Sequence, residues 1–479
     1  MKRLFVLLVS LVFALPAYAH VGSKDIFEEV NAGPYRLFVT IRPPNVIPGV
    51  ATIEVRCSGA QVRSIRITPT PMTGEAAKHP PTSDAMSASS SDPAFFTGSL
   101  WLMASGSWQV HFDVDGAGGK AHSSVPVPAM PLSILPMQRS LGTLLTCLGL
   151  LLVLGTGGIV AAAVGQSRLK PGVAPEPRQR RRALIAGALT LAFSALLVYE
   201  GYRWWNAEGR AYAAAVYRPL GMSPTLSGDT LDLKIGLRDG ERRSYRSNND
   251  LLPDHGHLMH LYAIREPEMD AAFHLHPAPI GSGELSMGLP AMPAGKYRLY
   301  ADIVHASGFP ETLTAELVVP PNMAAAPLAA EDASATPSAL SLGELGTDYK
   351  LPDGYSMVWD RPSDLRANTA YTFRFRLLDA DGKQAGDMRP YLGMAGHAAF
   401  VKTDGTVFAH THPDGSAAMQ AMMLANPMDM SEAMPSEAEA IPPTVEFPYG
   451  FPSPGRYRIF IQMKHGKTVE TGVFDAEVQ

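Results

Sequence analysis

The sequence predicts a mainly β protein, with three immunoglobulin-like antiparallel β-sandwich domains and two transmembrane α-helices. Three features carry that prediction. Short runs of β-branched and aromatic residues alternate with Pro, Gly and Ser clusters through most of the chain. Two apolar stretches in its middle are long enough to cross about 30 Å of hydrocarbon. The C-terminal part then writes one plan twice, histidines included.

Residues 1–19 read as an export signal: Lys2 and Arg3, the apolar run "LFVLLVSLVFAL", then a small-x-small end at Ala17, Tyr18 and Ala19. Cleavage there makes His20 the first residue of the mature chain. Residues 20–130 follow as a small sandwich, read from "YRLFVTIRPP", "ATIEVRC", "VRSIRITP", "FFTGSLWL" and "GSWQVHFDVDG", with a long loop at 75–93. The uncharged run at 141–164 is the first transmembrane helix, and 183–203 is the second, with the interfacial set Tyr202, Trp204 and Trp205 following its apolar run. Between them, 165–182 is a basic cytoplasmic loop. By the positive-inside rule both flanking parts then face outward, which implies a bacterial inner-membrane protein with N- and C-terminal domains in the periplasm. Beyond the helices come a sandwich at 206–320, a Pro/Ala-rich linker at 321–345 and a last sandwich at 346–479.

Composition narrows the function classes. A net charge of −5 over 479 residues, with basic residues clustered only in one short loop, gives no footprint for nucleic acid. Of the two cysteines, Cys147 falls in an apolar run, so neither a structural disulfide with Cys57 nor a thiolate metal cluster is expected. HExxH, CxxC, GxSxG and phosphate-loop patterns are missing, and no enzymatic activity is expected.

The repeated plan carries the chemistry. "LMHLYAIREPEMDAAFHLHP" leads to "MPAGKYRLYADIVHASGFPETLTAELVV", and "MAGHAAFVKTDGTVFAHTHP" leads to "PSPGRYRIFIQMKHGKTVETGVFDAEV". The overlay pairs His260 with His397, His274 with His410, His276 with His412 and His305 with His465. In a strand, residues two apart share a face, so each His-x-His presents two imidazoles together. Neutral imidazole suits copper and zinc, and thioethers suit Cu(I). Met259 and Met394 sit beside the histidines in sequence, and "AAMQAMMLANPMDMSEAMP" supplies Met422, Met423, Met428 and Met430. Copper is therefore the expected metal, ahead of zinc. The four histidines of each copy form one site each, or the clusters face each other and share one. Alternatively they are structural, organising turns in domains that bind another membrane component. His255 and His257 have no partner in the second copy and read as loop residues. His20 is a further candidate, as an amine-and-imidazole copper brace completed by His79, His111 or His122.

The stretch "HGHLMHLYAIREPEMDAAFHLHP", with "PAGKYRLYADIVHASGF" behind it, resembles the YtkA-like and related copper-associated β-sandwich modules of bacterial exported and membrane proteins, over roughly residues 250–320 with a fainter second copy. "HVGSKDIFEEVNAGPYRLFVTIRPPNVIPG" is similar in placement to the periplasmic copper-resistance C proteins, immunoglobulin-like sandwiches that begin with a ligand histidine. Together these resemblances imply copper buffering, delivery or resistance, with a metal ion, the lipid bilayer and a periplasmic or membrane copper protein as partners.

Overall fold

The computed structural model describes residues 24–167, 169–170, 172–237, 248–340, 346–427 and 439–479, so the export signal lies outside the described residues. Two compact units result: Pro131–Tyr217, and Met1–Met130 together with Arg218–Gln479.

The first of these is a helical pair, Arg139–Gln166 and Pro177–Ala215, both long and apolar enough to cross a membrane. The second helix starts earlier and ends later than the expected 183–203. Pro177 sits in its first turn and Glu176 and Gln179 form a capping box, so Arg178, Arg180, Arg181 and Arg182 join the helix rather than the loop. At its far end no proline interrupts the polar residues after Tyr202, and the helix runs 39 residues, about 58 Å at 1.5 Å per residue. Small residues let the two backbones approach: Gly157, Gly165 and Gly187 are buried, and a Cβ at Gly187 would lie 3.1 Å from that of Ala161.

The larger unit is built from antiparallel sheets. Near its N-terminus, Ile26–Ala32, Tyr35–Arg42, Gly49–Gly59, Phe95–Leu102 and Ser87–Ala88 form one sheet in that order. Asp84–Ala85, Val62–Pro71, Gly106–Gly116 and Gly119–Ala129 form the other. Alternation decides the packing: Leu37, Val39 and Ile41 point into a shared core with Ile53, Val55, Ile67, Phe112 and Val125.

Each copy of the repeat supplies two more sheets. In the first, Gly221–Ser227, Thr230–Gly236, Glu284–Gly288 and Ala278–Gly281 pack over a sheet ordered Leu251–Leu252, Gly295–His305, His260–Glu266, Ala272–Leu275 and Ala333–Ala335, with Pro310–Val319 also on Gly295–His305. In the second, Asp348–Lys350, Ser356–Asp360, Tyr371–Leu378 and Thr444–Tyr449 pack over Met388–Arg389, Gly455–His465, His397–Lys402 and Phe408–Thr411, with Thr468–Val478 on Gly455–His465. The inner sheets are apolar on both faces. Leu261 and Ala263 enter their own copy's core, whereas Tyr262 and Ile264 meet Ala399, Val401, Phe408, Phe460 and Val473 of the other copy. The two copies therefore pack inner sheet to inner sheet. Arg458, fully buried, fixes this contact: it pairs with Asp475 at 2.8 Å and donates to the carbonyls of Met269 (2.8 Å) and Ser338 (2.9 Å).

The stretch expected as a linker does more than connect. Ala333–Ala335 pairs with Ala272–Leu275, because the free edge of that sheet offers unpaired backbone groups. The N-terminal sandwich touches the second copy just after its His-x-His, where Glu29 N donates to Asp414 O (2.6 Å), Ser416 N donates to Phe27 O (2.9 Å), and the Glu28 carboxylate accepts from Ala417 N.

Candidate metal centre

At one end of the contact between the copies, eight histidine rings form a continuous cluster. Strand alternation delivers six of them. On His260–Glu266 and Ala272–Leu275, His260 and His274 share the face that carries Tyr262 and Ile264 toward the other copy, and on His397–Lys402 and Phe408–Thr411, His397 and His410 do the same. His412 follows two residues after His410. His276 extends the first pair just past its strand end. The remaining two are His255 and His257, which the sequence reading left as loop residues. They do lie in a turn, closed by Asp254 N to His257 O at 2.8 Å, with His255 at φ 51°. That turn folds back over the strand end and brings both rings into the cluster. The second copy makes the same turn with Tyr391, Leu392, Gly393 and Met394, so Met394 takes the place of His257 and Leu392 that of His255.

Two groups of three have ligand nitrogens within 4.8 Å of one another. One is His260, His274 and His276: His260 Nδ1 lies 3.1 Å from His274 Nε2 and 3.2 Å from His276 Nε2. Their other nitrogens are held from outside, His260 Nε2 by the Asp254 carbonyl (3.1 Å), His274 Nδ1 by Gln462 Oε1 (2.8 Å) and His276 Nδ1 by Asp332 (2.9 Å). This is the arrangement in which a ligand imidazole is oriented by an acceptor on its far nitrogen. The second group is composite, His255 from one copy with His397 and His412 from the other, ring centroids 4.8 to 5.1 Å apart. His255 Nδ1 is held by the Leu392 carbonyl at 2.8 Å. His410 bridges the groups, its ring 5.3 Å from His260 and 4.8 Å from His412, and its Nδ1 is 3.3 Å from Asp302. His257 stacks on His276 at 4.1 Å and bonds Glu331 at 2.9 Å.

Supporting contacts cross between copies symmetrically. Gln462 of the second copy holds His274 of the first, and Asp302 of the first, at the corresponding strand position, pairs with His410 of the second. These two residues and Asp332 were not found from sequence. Their signal is strand register, which places Asp302 opposite His260 and Gln462 opposite His397.

Burial favours the uncharged form of six of these rings. Desolvation, then repulsion by neighbouring rings, holds His260, His274, His397 and His412 well below the ordinary imidazole range. Burial also lowers His255, and lowers His276 against the opposing pull of Asp332. The donor side is open: among the described residues, His255 Nε2, His410 Nε2 and both nitrogens of His397 are buried without a hydrogen-bond partner, and the His412 ring lies against the Ala417 backbone. Neutral, buried, unpartnered imidazole nitrogens can hold a metal ion, and the donor set fits one.

Several expected ligands are elsewhere. His305 and His465 share a position in the repeat but not a place in the cluster. Asp302 faces His260, and three residues along a strand is an odd step, so His305 emerges on the opposite face about 10 Å away. There it is clasped by Asp250 (2.8 Å) and Glu311 (3.0 Å). His465 lies beside Asp353, Asp387 and Glu470 for the same reason. Met259 belongs to the core of the first copy, since it precedes His260 and points the other way. Met422, on the helix Met419–Ala425, packs into the N-terminal sandwich. Met423 is half-buried, its sulfur 3.7 Å from the amide of Gln420. His20, Met428 and Met430 lie outside the described residues. Of the suggested brace partners, His111 has both nitrogens engaged, by Thr70 and Ser124 at 2.8 Å each, His122 is paired with Asp113, and His79 is exposed.

Comparison with known proteins finds one family model that matches part of the chain and several solved structures with low similarity. Residues 221–320 and 349–479, the two copies, match the model of a domain of unknown function, DUF8832. No curated protein matches the chain. Among solved structures it is similar to an engineered protein, at 18% identity over 20% of this chain and 21% of that one, with a TM-score of 0.16. It is also similar to a tetra-tandem repeat from the extending region of a large adhesion protein (8% identity, 91% and 72% covered, TM-score 0.16). A third is Escherichia coli alpha-2-macroglobulin activated by porcine elastase (8%, 93% and 30%, TM-score 0.18). The chain thus spans about a fifth of the first of these structures and less than a third of the last.

Proposed function

We propose that the protein binds copper between its two repeats and acts, without catalysis, in copper buffering, delivery or resistance at the outer face of a bacterial inner membrane. The observation that carries this reading is the pair of buried histidine trios, with ring nitrogens of the second trio and of His410 that lack hydrogen-bond partners among the described residues. Each unpartnered buried group costs about 1–3 kcal/mol, a cost that coordination removes. Each trio supplies the nitrogens of one ion, His260, His274 and His276 for the first and His255, His397 and His412 for the second, with His410 within reach of both. Copper is preferred over zinc because imidazole suits both of its oxidation states and the sequence adds methionines that suit Cu(I). The resemblance to YtkA-like and copper-resistance C modules agrees with this choice, and the basic stretch at 165–182 between the two helices supports outward-facing domains. A periplasmic or membrane copper protein is the partner the reading calls for.

A structural reading competes, in which the sandwiches bind a protein partner and the histidines fasten one copy to the other. It is favoured by the cross-copy contacts of Gln462 with His274 and Asp302 with His410. Titration of the purified full chain in detergent with Cu(I), Cu(II) and Zn(II) separates the two readings. Copper binding should be tight and stoichiometric, falling by one equivalent in His274→Ala/His276→Ala and by the other in His255→Ala/His412→Ala. Copper binding no tighter than that of an exposed histidine, with variants that lose stability equally with or without metal, would establish the structural reading instead.

A further inference from the structure

We infer that the second copy carries a separate divalent-cation site, built on His465, Asp353, Asp387 and Glu470 and suited to zinc(II). Four chain segments converge there. Asp353 lies in the turn between Asp348–Lys350 and Ser356–Asp360, Asp387 immediately precedes Met388–Arg389, His465 ends Gly455–His465, and Glu470 sits on Thr468–Val478. Donor atoms of Asp353, His465 and Glu470 all lie within 4.8 Å of one another. The Asp387 carboxylate is 3.5 Å from His465 Nδ1, and that of Asp353 is 2.8 Å from Nε2.

Two observations point to a ligand rather than a closed ion cluster. His465 is only 7% exposed, with its ring fixed by Tyr355 stacked at 4.0 Å, yet among the described residues Nε2 has no partner in hydrogen-bonding geometry, nor has the buried Oδ1 of Asp387. The corresponding place in the first copy shows what a closed set looks like. Strand register equates Asp250 with Asp387 and Glu311 with Glu470, and there both nitrogens of His305 are hydrogen-bonded, to Asp250 and Glu311. In the second copy the same imidazole faces a third carboxylate, from Asp353, and the ring cannot satisfy all three. One nitrogen with several carboxylate oxygens is a donor set for zinc(II) and is too hard for Cu(I).

The test is zinc titration of the metal-free full chain in detergent against a chromophoric chelator. The site does not depend on the copper reading, so the cluster variant His274→Ala/His412→Ala should still bind one zinc. In that background, Asp353→Asn and Glu470→Gln, both isosteric, should each weaken the zinc at least tenfold, while Asp250→Asn in the first copy should leave it unchanged. In the otherwise intact chain neither Asp353→Asn nor Glu470→Gln should alter copper stoichiometry. Failure of the cluster variant to bind zinc, or wild-type zinc affinity in both carboxylate variants, would overturn the assignment. His465→Ala, checked for folding by circular dichroism, should abolish the site, and the carboxylate variants decide if it does not fold.

Discussion

Acidification should destabilise the metal-free protein steeply, and the structure sets the size of the effect. His260, His274, His397 and His412 are neutral in the fold because burial holds them well below their ordinary range. On unfolding each regains a value of about 6.5. Below that pH the unfolded chain binds more protons than the folded one, so stability is complete above about pH 6.5 and is lost as the pH falls toward the depressed folded values. Each such group costs about 1.3 kcal/mol between pH 7 and pH 5.5, so the four together cost about 5 kcal/mol. His255 and His276, lowered less, add part of another proton each. His305 works in the opposite sense: burial lowers it, but Glu311 and Asp250 together raise it, so its contribution is present below about pH 6.5 and lost as pH rises. Urea unfolding of the metal-free chain, followed by the fluorescence of buried Trp359, should give a free energy about 4–5 kcal/mol smaller at pH 5.5 than at pH 7. His274→Gln should remove about one proton from the slope. A loss below about 1.4 kcal/mol, the equivalent of about one group, would refute the neutral buried cluster.

Other consequences test the supporting structure. Asp332→Ala, which frees His276 Nδ1, should weaken copper binding about 10- to 100-fold in competition titrations while the fold persists. Arg458→Met strips the carbonyls of Met269 and Ser338 of their donor and leaves Asp475 with Arg456 alone, so denaturant unfolding should show a loss of about 3 kcal/mol. Gly187→Leu forces the helix pair apart at Ala161, and thermal unfolding in detergent should show a cost of about 1–3 kcal/mol.

Parts of the site were legible because strand geometry is local. His274 and His276, like His410 and His412, are two residues apart, and a period of two guaranteed each pair a common side. His260 and His397 were recovered because a repeat places equivalent residues in equivalent strands. The same argument misplaced His305 and His465: equivalence between copies says that two residues occupy the same position, not that this position faces the site. Their offset of three from Asp302 and Gln462 reverses the face, and only the pairing register reveals it. His255 and His257 were set aside because the second copy lacks them, yet an asymmetric cluster draws both from one turn.

By itself the sequence determined the mainly β character, the two apolar helices, the duplication and the His-x-His pairs, since all of these rest on periodicity, composition and short-range spacing. Tertiary structure decided that the two copies meet inner sheet to inner sheet, that one histidine trio is shared between them, and that Gln462, Asp302 and Asp332 orient the rings. The physical reason is that these contacts join residues more than fifty positions apart, brought together by burying a second apolar face on each inner sheet, and no local pattern encodes which face meets which partner.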